Sequence, residues 1–93
     1  MLTVSEYFDG AVKSIGFDSP SGRASSGVML PGSYTFNTAA AEVMRVIFGE
    51  MRVLLAGEES WHTVLAGEEF EVAANSAFQA KIAQPTAYLC FYG

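Results

Sequence analysis

Residues 77–92 read AFQAKIAQPTAYLCFY. Over 77–83 the side chains alternate, with Phe78, Ala80 and Ile82 on one face and Gln79 and Lys81 on the other. A period of two is the mark of a half-buried strand. Gln84-Pro85 then reads as a turn. Over 86–92 both faces are apolar or aromatic: Ala87, Leu89 and Phe91 oppose Tyr88, Cys90 and Tyr92. A strand of that kind belongs inside a sheet–sheet core or at a subunit contact. Two strands joined by a short turn already point to an all-β fold.

The same punctuation runs back through the chain. Turns are expected at 18–22 (DSPSG), 31–32, 38–41, 49–50, 56–60 (AGEES), 66–68 and 74–76, each holding Gly, Pro, Asn or Ser. Between them lie short runs rich in Val, Ile, Phe, Tyr and Thr, the pattern of a sandwich or barrel. In 11–17 one face carries Ala11, Lys13, Ile15 and Phe17; in 33–38 one face carries Tyr34, Phe36 and Thr38. Only 38–47 has helical features, through Thr38 as an N-cap before Ala39-Ala40-Ala41-Glu42. It passes into Val43, Val46, Ile47, Phe48 and Gly49, so a turn entering a strand is expected. Residues 1–93 form one domain without repeat or linker.

Composition limits the functions available. A chain of 93 residues buries only roughly 60–65% of its unfolded surface. With 51% hydrophobic and 16% charged residues it is not a disordered chain. Its net charge of −5 offers neither the positive footprint of a nucleic-acid binder nor the basic stripe of a membrane-surface helix. Glu6 and Asp9 fall where a signal peptide is apolar. The long uncharged stretch at 24–41 is broken by Gly27, Pro31 and Gly32, so it is no membrane span. A soluble protein of the cytoplasm is expected. Cys90 is the sole cysteine and has no internal disulfide partner.

Chemistry-bearing side chains are few. His62 is the one histidine, and no HxH, HxxxH, CxxC or HExxH spacing exists. A metal site needs several such ligands gathered together, so no metal is expected. Cys90 reads as a buried, inert thiol. The cations are Lys13, Arg23, Arg45, Arg52 and Lys81. Lys13 interrupts an otherwise apolar face. Arg23 follows Ser21-Gly22 and precedes Ala24-Ser25-Ser26-Gly27, a setting of hydroxyls and free N–H groups that suits a phosphate or a solvated turn. Glu58-Glu59 and Glu68-Glu69-Glu71 read as solvated edges that discourage aggregation. Glu42 differs, because apolar residues surround it. Tyr34, Phe36, Phe78 and Tyr88 are core residues or the lining of a barrel mouth, where a flat base stacks without hydrogen-bond readout.

A family resemblance sharpens this. Glu6-Tyr7-Phe8-Asp9-Gly10 with Val12-Lys13-Ser14-Ile15-Gly16-Phe17 resembles the opening of the small pyrimidine/purine nucleoside phosphorylases. The likeness continues through Gly22-Arg23-Ala24-Ser25, Gly27-Val28-Met29 and Gly32-Ser33-Tyr34-Thr35-Phe36 with Thr38. It runs on through Glu42-Val43-Met44 with Gly49, then Pro85-Thr86, Tyr88-Leu89-Cys90 and Tyr92. It spans the chain from end to end. One departure is Ala73-Ala74-Asn75 before Ser76-Ala77-Phe78, where relatives tend to show Pro-Gly.

The resemblance implies a cupin-like β-barrel or jelly roll, pairing as a homodimer, and phosphorolysis of many nucleosides to free base and ribose 1-phosphate. It implies no cofactor. Against the wider cupin pattern, Tyr34, Phe36 and Phe78 stand where metal-binding histidines would be, with Glu42 near the motif glutamate. The site expected on this footing places phosphate on Arg23 and Ser25 with Lys13. Tyr34, Phe36, Glu42 and Phe78 would hold the nucleoside. The alternatives are a cupin that binds a small molecule without chemistry, and a metal-dependent cupin enzyme using His62 with carboxylates.

Overall fold

The computed structural model describes residues 1–93. It contains ten strands and no helix: β1 (Thr3–Tyr7), β2 (Val12–Ser19), β3 (Gly22–Met29), β4 (Gly32–Asn37), β5 (Glu42–Phe48), β6 (Glu50–Leu55), β7 (His62–Leu65), β8 (Glu69–Val72), β9 (Ala77–Ile82) and β10 (Thr86–Tyr92). The strands form two sheets, ordered β1-β2-β3-β10-β5-β8 and β4-β9-β6-β7. Every pairing is antiparallel. The sheets pack face to face as the expected jelly roll. The core fills the space between them, with Val12, Met29, Met51, Val53 and Phe78 almost fully buried.

The stretch that decided the fold behaves as its pattern requires. In β9, Phe78, Ala80 and Ile82 are buried and Gln79 and Lys81 are exposed. In β10, Thr86, Tyr88 and Cys90 point into the sandwich, and Ala87, Leu89 and Phe91 are half-buried on the outside. Residues 38–41 form a loop that enters β5 at Glu42, as expected.

Two features differ from the sequence reading. In β2 the inward face is Val12, Ser14 and Gly16, not the face of Lys13 and Ile15. Both faces of this strand carry apolar residues, so parity alone did not select the buried one. The inward residues are small or polar because they line a cleft. The other difference is β1, which was not anticipated. Its turn is made at Phe8 and Asp9, both with positive φ (54° and 56°), and Phe8 lacks the usual turn signal. Phe8 lays its ring against Tyr34 and Phe36, with centroids 4.8 and 5.5 Å away.

The 73–76 loop keeps a left-handed residue where the sequence lacks glycine. Asn75 has φ of 53°, a conformation asparagine tolerates better than most residues. Thr38 ties this loop to the one opposite: its hydroxyl donates to the carbonyl of Ala73 at 2.7 Å and accepts from the N–H of Ser76 at 3.0 Å. The N–H of Asn75 also donates to the carbonyl of Ala39. No helix is long and apolar enough to cross a membrane.

Candidate functional site

Between the sheets, at the end clasped by these loops, lies a cavity of about 400 Å³. The large sheet supplies Tyr7, Ser14, Met29, Glu42, Met44, Tyr88, Cys90 and Tyr92; the small sheet supplies Phe36 and Phe78. A second hollow of about 260 Å³ is lined by Thr3, Ser5, Gly16, Arg23 and Ser25, together with Tyr7, Ser14 and Tyr92. Tyr7, Ser14 and Tyr92 border both hollows, so the two adjoin along the inner face of the large sheet; together they are called the cleft. One end is aromatic and the other is polar and cationic.

The polar end is built by strand parity. Thr3 faces Gly16 across β1 and β2, and Gly16 faces Ser25 across β2 and β3. Arg23 lies two residues before Ser25 and so shares its face. Its guanidinium donates to Thr3 Oγ1 at 3.2 Å and to Asp18 Oδ1 at 3.4 Å. It lies close over Gly16, where a Cβ would stand 2.6 Å from an Arg23 nitrogen. Ser25 Oγ and the Tyr92 hydroxyl are hydrogen-bonded at 3.0 Å.

At the aromatic end Phe36 and Phe78 stack, with centroids 5.2 Å apart and ring planes 27° from parallel. Glu42 begins β5 and is paired with Tyr92 across the ladder. Of the carboxylates, it alone lines this cavity. Burial raises its pKa above the model-compound value of 4.5, and the neighbouring Cys90 thiol partly opposes the rise. Burial, with the Glu42 charge added, pushes the Cys90 thiol up to about 12. Burial likewise pushes Tyr92 up to about 12, against the opposing effect of its hydrogen bond with Ser25. Burial raises the Tyr88 pKa as well. The thiol and both phenols therefore stay neutral donors at neutral pH. Arg23 is the cation and Glu42 the acid.

Five of the seven expected site residues meet in this cleft: Arg23, Ser25, Phe36, Glu42 and Phe78. Lys13 does not join them. It lies on the outer face of β2 and pairs with Glu6 at 3.4 Å, with 61% of its side chain exposed. Tyr34 stands behind the wall rather than in it. It is buried, and its hydroxyl donates to the carbonyl of Leu30 at 2.6 Å. The sequence reading did not assign Tyr7, Ser14, Cys90 or Tyr92 to the site. For the last two the signal was present in the inward face of β10, on which Tyr88 had already been picked out. His62 lies elsewhere, exposed at the start of β7 and 3.1 Å from Glu58. The acidic runs also serve locally: Glu58 and Glu68 carboxylates accept from the N–H groups of Leu55 and Leu65.

Comparison with known proteins agrees along the whole chain. The family model described as pyrimidine/purine nucleoside phosphorylase matches residues 2–92. A protein of that name from Erwinia tasmaniensis is 60% identical over 93 residues, covering 99% of this chain and 97% of its own. One from Shewanella halifaxensis is 55% identical with both chains fully covered. A crystal structure of a Vibrio parahaemolyticus protein of unknown function superposes with a TM-score of 0.94 at 46% identity, covering 97% of this chain and 96% of that one. An RmlC-like cupin from Shewanella frigidimarina, 17% identical, matches with a TM-score of 0.71 over 97% of this chain and 81% of its own. That likeness establishes the cupin fold.

Proposed function

The chain belongs to the pyrimidine/purine nucleoside phosphorylase family, and from that membership we propose that its cleft takes a nucleoside and inorganic phosphate and returns free base and ribose 1-phosphate. This is a pentosyl transfer. The observation that carries the reading is a pair of adjoining hollows with shared walls, one with a cation and hydroxyls and the other with stacked rings.

Phosphorolysis requires phosphate to attack the anomeric carbon while the base departs, through a transition state of oxocarbenium character. Arg23 and the Ser25 hydroxyl hold the phosphate, with Thr3 beside the guanidinium. Phosphate displaces the long contact to Asp18 and gains a charge-assisted hydrogen bond from the same arginine. Phe36 and Phe78 form the slot for the base. Stacking reads no hydrogen-bond edge, so purines and pyrimidines are both accepted. A Glu42 oxygen accepts from a ribose hydroxyl. Ser25 and Glu42 lie on strands separated by β10 and two positions out of register, so their backbones are about 12 Å apart. The sugar sits between them, held in line for attack.

Two finer points belong to the same reading. The protein works in the cytoplasm, and it pairs as a homodimer through the outside of the large sheet. Val4, Ile15, Val28 and Phe48 are 70%, 44%, 47% and 69% exposed on that sheet, beside the half-buried Leu89 and Phe91.

The test is base release from uridine and adenosine, each with and without inorganic phosphate. Release only with phosphate, with ribose 1-phosphate formed, is expected. Phosphate-independent release identifies a hydrolase instead, and binding without release identifies a non-catalytic cupin.

A further inference from the structure

A departing base leaves more easily when it takes up a proton, and phosphate must lose one on becoming a phosphate ester. The cleft contains one acid placed to make that delivery. We propose that Glu42 is the catalytic acid that protonates the leaving base, and that Cys90, Tyr92 and Ser25 return the proton from the phosphate end. This rests on the phosphorolysis reading above and names a residue for its least accounted step.

The geometry is specific. Glu42 is the single carboxylate lining the aromatic cavity, together with Phe36 and Phe78, which hold the base. With one Glu42 oxygen assigned to the sugar in the phosphorolysis reading, the carboxyl O–H is free for the base. Cys90 precedes Tyr92 by two residues on the same face of β10, Tyr92 pairs with Glu42 across the ladder, and all three line the cavity. Tyr92 is hydrogen-bonded to Ser25 at 3.0 Å, at the phosphate end. Each of these groups both donates and accepts, as a proton path requires. Half-burial favours the protonated carboxyl, which is the form the step consumes.

The step balances. The bond from the anomeric carbon to the base nitrogen breaks, and its electron pair leaves with the base. A phosphate oxygen forms the new bond to the anomeric carbon. The Glu42 proton goes to the base. The proton of hydrogen phosphate passes through Ser25, Tyr92 and Cys90 to the Glu42 carboxylate. No oxidant or reductant is involved.

The experiment compares guanosine with its N7-methyl derivative, whose base leaves neutral without taking a proton. Phosphate-dependent turnover is measured for the wild type, Glu42→Gln, Glu42→Asp and Tyr92→Phe. Glu42→Gln should lose about 10²–10⁴-fold on guanosine, the usual contribution of a positioned acid, and less than about tenfold on the methylated nucleoside. Glu42→Asp should recover part of the guanosine rate because it keeps an acid. Tyr92→Phe should slow guanosine more than the methylated substrate. Uridine and 5-fluorouridine, with the better leaving group, give a second pair read in the same way. Equal losses on both members of each pair overturn the proposal and leave Glu42 as a sugar-binding residue. Wild-type protein without phosphate-dependent turnover of any of the four overturns the phosphorolysis reading itself.

Discussion

Gly16 and Gly27 are both crowded at the missing Cβ, yet the consequences of filling that space differ. At Gly16 a methyl meets the mobile tip of Arg23, and the guanidinium can swing aside. Gly16→Ala should therefore fold normally while raising the KM for phosphate more than it lowers kcat. Arg23→Ala should abolish phosphate-dependent turnover with the melting temperature little changed; wild-type turnover in that variant removes Arg23 from the phosphate site. At Gly27 a methyl would stand 2.6 Å from the buried Tyr88 ring and 2.7 Å from the backbone oxygen of Lys13, and neither can retreat. Glu42 yields a prediction about pH. Its folded pKa is raised, so the unfolded chain loses this proton first as pH rises. The stability contributed by neutral Glu42 is complete below the unfolded value and declines upward from about 4.5, levelling once the folded state ionises. Glu42→Gln escapes that loss. Its melting temperature relative to wild type should rise between pH 4 and neutrality; a constant difference across that range removes the linkage.

At the scale of elements, the cleft mouth depends on two loops that have no ladder between them. Thr38 joins them with one hydroxyl that donates to Ala73 and accepts from Ser76. Thr38→Val keeps the shape and deletes both part-buried hydrogen bonds. The expected cost is about 1–3 kcal/mol, or a fall of about 4–8 °C in Tm for each kcal/mol in a domain of this size. An unchanged Tm would mean that the backbone bonds from Thr38 N–H to Ser76 and from Asn75 N–H to Ala39 hold the loops without the hydroxyl. Legibility also varied by element. In β9 the polar pair Gln79 and Lys81 identified the outer face, and in β10 the Gln84-Pro85 turn gave the strand its start. In β2 nothing marked the buried side. Val12 and Ile15 are equally apolar, and the inward neighbours of Val12 are Ser14 and Gly16, which resemble surface residues until a cleft is placed over them.

For the whole molecule, the outer face of the large sheet calls for a partner more than the small sheet does. On the small sheet Trp61 is covered by Lys81 and Arg52, which gives that side a charged exterior. On the large sheet Val4, Ile15, Val28 and Phe48 remain uncovered. Sedimentation should give about twice the mass of one chain, and Ile15→Lys combined with Val28→Lys should give monomers. A dimer that survives both charges uses another surface. The succession of turns and period-two runs was enough to determine an all-β chain, because alternation and turn chemistry are local properties. The motif order determined the family, because it extends along the whole chain. Which residues share the cleft was decided only by the fold. Arg23 and Glu42 are 19 positions apart and meet the same Tyr92 because β10 inserts between β3 and β5. Lys13 was separated from them by the parity of β2, and Tyr34 was drawn behind the wall by its bond to Leu30. Sheet order and facing are set by burial summed over the whole core, and no local stretch of sequence contains that sum.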